Sequence, residues 1–237
     1  MNKQMFAKMA ALLTLGVLYG SAASGQNLNA PAAPIASTAS LNGARLALAV
    51  PESPSFLART PPDWKDTAVG AVGGMVGGAI GGVARASSQA SDGDRMVKEF
   101  AIADPALPIG QGLATRLRTT YRMTEVPATP APVTQTVDAV IASAPTTDMI
   151  LDVRSQVFGL NYTPKEPTNF FVMSISWARL IDARSHAVLA EARCIPVKSP
   201  PMQKFDQLVA NNGEGIKAGL AAYVDPCVEQ LAEKMKL

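Results

Sequence analysis

The chain has 237 residues, of which 48% are hydrophobic, 17% charged and 5% aromatic, with two cysteines, one histidine and a formal net charge of +2. That length suits one domain with appendages, and the charges are too sparse and too dispersed for a solvated acidic or basic tail. A single histidine argues against histidine-rich metal sites, and no metal or cofactor is expected.

Residues 1–25 have the layout of a secretory signal peptide. Lys3 and Lys8 form the positive region, Met9 to Leu18 the apolar region, and Gly20 to Gly25 a run of small residues where cleavage after Ala23 or Gly25 fits. The apolar stretch is shorter than the ~20 residues that span a bilayer. No cysteine lies near the boundary, so lipidation there is not expected, and the chain reads as periplasmic or secreted. Without Lys3 and Lys8 the charge is formally zero, and nothing global favours nucleic acid as a partner.

Residues 26–43 are mostly Ala, Pro, Ser, Thr and Asn without periodicity, the composition of a disordered leader. A strand follows at 44–50, stopped by Pro51 and Pro54. The insertion at 61–93 contains two glycine series, Gly70, Gly74, Gly78 and Gly82 beside Gly73, Gly77 and Gly81. Four-residue glycine spacing lets helix backbones approach closely inside a membrane. Asp66 and Arg85 enclose the uncharged residues 67–84, about 27 Å as a helix, with Trp64 where an interfacial anchor would sit. In water the same glycines cost about 0.8–1.0 kcal/mol each against Ala. The segment therefore reads either as an association or membrane-inserting element, or as a helix packed on its own sheet or a flexible insert.

Beyond it, 96–102 reads as a strand. Asp104 is a good helix cap with Pro105 at the first helical position, and Ile109, Leu113, Leu117 and Tyr121 give a helix over 105–122 with one buried stripe. Residues 125–132 read as a Pro-rich turn and 137–144 as a short helix. Met149, Leu151, Val153 and Val157 alternate with Asp152, Arg154 and Gln156, a strand over 149–158 with one face toward solvent. Strands 170–181 and 187–195 are joined at Asp182–His186 as a hairpin. After Pro200 and Pro201 a helix carries Phe205, Leu208 and Val209 until Asn211-Asn212-Gly213 ends it. Ile216, Leu220, Tyr223, Val224, Cys227, Leu231 and Met235 then mark the face of a final helix.

The expected fold is α/β, of the α+β kind: a single mixed, largely antiparallel sheet with helices 105–122 and 201–236 packed on it. The domain runs from 44 to 237 and carries the Gly-rich insertion.

Few residues carry a chemical signal. Cys194 and Cys227 form an even pair in an exported chain, without CxxC spacing, and are expected to bond. His186 lies in a turn where Asp182 and Ser185 are ordinary turn formers. Gly213-x-Gly215-x-x-Ala218 mimics a dinucleotide fingerprint but follows a helix, and Gly110-x-Gly112 falls inside one. No nucleophile elbow, P-loop or zinc motif occurs. No catalytic residue is assigned, and the chain is not expected to be an enzyme. Arg116, Arg118 and Arg122 form a basic patch, read as a solvated helix face or as a contact for anionic headgroups.

Asp104-Pro105-Ala106 opening a helix, the strand Asp148 to Val153, Asp182-Ala183-Arg184 followed by Val188-Leu189-Ala190, and Asn212-Gly213 before a Cys-bearing helix resemble uncharacterised proteobacterial envelope proteins. Those often carry a lipoprotein signal and a Gly/Ala-rich stretch after the first strand. The resemblance covers 44–237 and implies a location and a fold, with no activity; this chain departs in having no lipidated cysteine. A looser similarity to small α/β domains of the curli-secretion lipoprotein and the Tol-Pal propeller protein rests on element order. The resulting expectation is a non-catalytic envelope component that binds another envelope protein or self-associates through the glycine series. The alternative is a membrane-inserting or pore-forming component using 67–84.

Overall fold

The computed structural model describes residues 41–59, 92–127, 129–131, 136–163, 165–195 and 201–237. The signal at 1–25, residues 26–40 of the leader and both glycine series lie outside the described residues.

The sheet starts from a strand whose two faces are both apolar. In β1 (Arg45–Pro51), Leu46 and Leu48 point to one side and Ala47 and Ala49 to the other, and all four are buried. β1 runs parallel to β5 (Met149–Thr163), pairing Leu46 with Met149 and Leu48 with Leu151. β2 (Leu57–Ala58) continues alongside β5 at Gly159 and Leu160. On the far side of β1 lie two short parallel strands, β3 (Thr124–Glu125) and β4 (Thr129–Ala131). This stretch, expected as a turn, therefore forms a sheet edge. Prolines are tolerated there because an edge strand leaves one side of its N–H row without a ladder partner.

β5 turns back antiparallel into β6 (Glu166–Asp182), which pairs antiparallel with β7 (Ala187–Cys194) and β8 (Gln203–Lys204). The strand order is β3-β1-β5-β6-β7, a mixed sheet as expected. In β6, Phe170, Val172, Ser174, Ser176, Ala178 and Leu180 alternate inward and are buried. The hairpin at Asp182–His186 is also as expected: Asp182 Oδ1 accepts the backbone N–H of Arg184 and Ser185, and His186 takes φ 58°.

One face of the sheet carries two apolar cores. The first lies under α2 (Ala106–Tyr121) and α5 (Val224–Met235), where Ile109, Leu113, Leu117, Cys227 and Leu231 meet Leu46, Leu151 and Leu180. Complete burial of each such Leu or Ile stabilises by about 1.5–3 kcal/mol. Leu41 is buried in this core and Gly43 N–H bonds the Tyr121 carbonyl, so residues ahead of Ala44 take part in the packing. Asp104 Oδ1 accepts the Ala106 N–H at 2.8 Å, capping α2 as its sequence suggests. The second core lies under α1 (92–100) and α4 (Phe205–Ala221), with Phe56, Met96, Phe100, Phe158, Phe170, Phe205 and Leu208. α3 (Val137–Ser143) covers the opposite face at one end, packing Val140 on Ala47, Ala49, Ile150 and Ile181.

Two expectations about helices and strands are corrected. Residues 96–102, read as a strand, belong mostly to α1, because Met96 and Phe100 lie four apart on one buried stripe. The last apolar run forms two helices and not one: α4 ends at Ala221 and α5 begins at Val224, since Pro226 can occupy a first turn but not a helix interior. Ala210 to Gly213 break α4 internally, with φ of 50°, 61° and 72° at Asn211, Asn212 and Gly213. Gly213 is needed there, because a Cβ would also lie 2.8 Å from Phe100.

α1 closes on Ala101 at φ 49°, with the Ile102 N–H bonded back to the Val97 carbonyl. This is a left-handed helix stop at a position glycine usually fills. Ala101→Gly should therefore stabilise the protein by about 0.5–1 kcal/mol. Urea unfolding checks this, and a lower midpoint would contradict it.

Candidate functional site

The sheet face opposite the two large cores holds a buried arrangement of charge. Asp152 on β5 is fully buried, and Arg154 and Arg179 are 7% and 6% exposed. Asp152 lies opposite Arg179 in the β5–β6 ladder. Its two carboxylate oxygens are shared: Oδ1 accepts from Arg154 Nε at 2.8 Å, and Oδ2 from Arg179 Nε at 3.0 Å. The Arg179 guanidinium sits 4.7 Å from the centroid of the Trp177 ring, and Trp177 Nε1 donates to Glu191 Oε1 at 2.8 Å. Glu191 stands opposite Arg179 on β7, so the network crosses three strands. A carboxylate spent on two guanidinium groups is poorly suited to general acid–base work; it fixes the strand faces against one another.

The reading of β5 with Asp152 and Arg154 on a solvated face is thus corrected: both are buried by mutual pairing. Val157 also changes sides. A bulge between Ser155 and Val157 shifts the alternation by one residue, so Phe158 takes the core position. Beyond the charged network this face continues along β6 with Phe171, Met173 and Ile175, all half-buried and outside the three apolar cores.

A second charged centre ties the sheet end together. Asp148 accepts from Arg45 N at 3.0 Å, Arg45 Nε at 3.1 Å and Arg184 at 2.6 Å. The Arg45 side chain and then its backbone N–H hold the Asp148 carboxyl well below the usual carboxylate range, with Arg184 adding to the effect. A carboxyl lowered on folding contributes stability that is complete above about pH 4 and is lost as pH falls below it. Asp148→Asn should thus lower stability at neutral pH by about 1–2 kcal/mol. Parent and variant should converge as denaturation midpoints are followed into acid; a constant gap would contradict this.

Nearby, His186 Nδ1 lies 2.7 Å from Asp138 Oδ1, with the two side chains 55% and 82% exposed. The sequence could not have paired these residues, which lie 48 apart. Asp182 and Ser185 remain turn formers, and the pair sits on an open surface. The basic patch is largely compensated: Arg116 bonds Glu229 at 3.0 Å, Arg118 pairs with Glu125, and Arg122 closes α2 at φ 53°. Gly213 lies in the α4 break and Gly215 in the helical part just after it. Gly112 seats Val228 of α5, whose Cγ2 would be 2.6 Å from an added Cβ.

Cys194 at the end of β7 and Cys227 in α5 are joined, with Cα atoms 5.4 Å apart. The bond lies in the first core at 2% and 1% exposure. Further along β6, where β7 has ended, the Tyr223 hydroxyl donates to the Val172 carbonyl at 2.7 Å. Burial pushes the Tyr223 phenol up from its ordinary range. Between β1 and the start of α2, Leu48, Val50, Asp104, Leu107 and Val153 line a space of about 30 Å³, the size of a single water. Small-molecule sites begin at about 300 Å³, so this particular space would not hold one. Among the described residues no helix is long and apolar enough to cross a membrane, and no group of three His, Cys, Asp or Glu side chains could hold a metal ion.

No family model and no curated protein matches the chain. Among solved structures, a hypothetical protein from Chlamydia trachomatis is similar over 81% of this chain and 94% of its own, at 6% identity and a TM-score of 0.34. A lipoprotein from Neisseria meningitidis is similar over 80% of this chain and 99% of its own, at 14% identity and a TM-score of 0.27. Similarity at this level transfers no residue role.

Proposed function

We propose that the chain is an exported, non-catalytic component of the cell envelope that binds another envelope protein through its α/β domain. The buried Cys194–Cys227 disulfide carries this reading, because such bonds persist in oxidising compartments and not in a reducing cytosol. The secretory layout of residues 1–25 supports the same location. The charged network of Asp152, Arg154, Arg179 and Glu191 supports a structural role for the ionisable groups of the sheet.

A second reading rests on the glycine series. In it, residues 67–84 insert into a membrane or hold copies of the chain together. Fractionation of a Gram-negative host expressing the full chain separates the two. Release by osmotic shock, with solubility in carbonate, supports the periplasmic binding protein; extraction by detergent alone supports insertion. If the glycines bring helices together, Gly74→Leu and Gly78→Leu should cut crosslinked oligomer yield several-fold, and the Ala variants should do less. Unchanged yield in both Leu variants would remove self-association through this segment.

A further inference from the structure

β7 is the last strand in the sheet order, so among the described residues its outer edge has no strand partner. Such edges invite pairing with another chain. Backbone groups alternate along a strand with period two, so Glu191 and Arg193 present theirs to the same edge. The helix α5 reaches over to this edge. Lys234 Nζ donates to the Arg193 carbonyl at 2.8 Å. Gln230 takes both backbone groups of Ile195: its Oε1 accepts the N–H at 2.8 Å, and its Nε2 donates to the carbonyl at 3.3 Å. The disulfide from Cys194 to Cys227 ties α5 to this end of β7.

The edge those side chains occupy is complementary to itself. A second copy of β7 laid antiparallel about Ala192 sets Glu191 opposite Arg193 of the copy, and Arg193 opposite its Glu191. Both residues of each charged pair present their backbone groups to the shared edge, so this register also completes a ladder.

We propose that Gln230 and Lys234 form a latch on α5 that keeps a second copy of this chain off the β7 edge. The latch works by competition: the side chains already hold the Arg193 carbonyl and both backbone groups of Ile195, which an added strand would use. It is independent of the proposed function.

The test is sedimentation equilibrium of the full chain against Gln230→Ala/Lys234→Ala, from low to high micromolar. Both replacements sit in a helix and favour it, and circular dichroism with a non-reducing thiol assay confirms an intact fold and disulfide. Lys234→Met, which keeps the apolar stem and removes the donor, serves as a second variant. The latch variant should double in mass relative to the parent, and Lys234→Met should move the same way. Adding Arg193→Glu should abolish the doubling, since it opposes like charges. Latch variants that are folded yet keep the parent's mass would overturn the proposal. So would a doubling that Arg193→Glu leaves untouched, because association would then use another surface.

Discussion

Replacing Cys194 and Cys227 together by alanine should lower the unfolding free energy by about 3–4 kcal/mol. The two residues are 33 apart in sequence. Freeing a loop of that length restores chain entropy to the unfolded state worth about 3.7 kcal/mol in the loop-closure treatment. The native state loses contacts as well, because both sulfurs lie in the first core beside Leu231, Ala192 and Ala178. The bond joins the outermost long strand to α5, so its loss should show first as exchange of β7 amides. Guanidinium unfolding of parent and double variant under identical conditions checks the magnitude. A loss below about 1 kcal/mol would mean that the bond stabilises little.

A comparable effect is expected at the buried charges. Asp152→Ala should cost about 3–5 kcal/mol, because it removes the carboxylate shared by Arg154 and Arg179 inside the protein. Replacing all three groups with apolar residues of similar size, Asp152→Leu/Arg154→Met/Arg179→Met, should recover a large part of that loss. Breaking a buried pair leaves uncompensated charge, and replacing Asp152, Arg154 and Arg179 together removes the two guanidinium groups that would be left without it. The recovery separates a charge effect from a packing effect. If the triple variant were as unstable as the single, the network would matter through shape alone. A cost under about 1 kcal/mol for Asp152→Ala would remove the network from the account of stability.

The contrast between these sites shows what the sequence can and cannot report. Alternation in 170–181 and 187–195, the Asp182 turn, the Asp104-Pro105 helix start and the Asn211-Asn212-Gly213 stop are local signals, and the structure realises each of them. The cysteine pair was legible because the alternatives for two thiols are few. Asp152 and Arg154 were read as exposed because period two separates the faces of a strand without saying what covers the second face. Their burial depends on Arg179, placed opposite Asp152 only by the hairpin register. The exchange of Val157 for Phe158 needed a bulge that alternation cannot show. Residues 96–102 resemble a strand in sequence because Met96, Phe100 and Ile102 satisfy a two-residue period as readily as a helical stripe over so short a span. β3 and β4 were hidden by prolines, which mark turns and edge strands alike. Pro226 was the available sign that the last helices are separate.

Export and the oxidised pair are tested together by the intact mass of the full-length gene product recovered from a Gram-negative host, alkylated without reduction. The expected product is a chain beginning just after Ala23 or Gly25, carrying no alkyl group, with Cys194 and Cys227 recovered in one crosslinked peptide. A chain that retains Met1 and takes two alkyl groups would contradict both export and the oxidised pair, and with them the placement of this protein in the envelope.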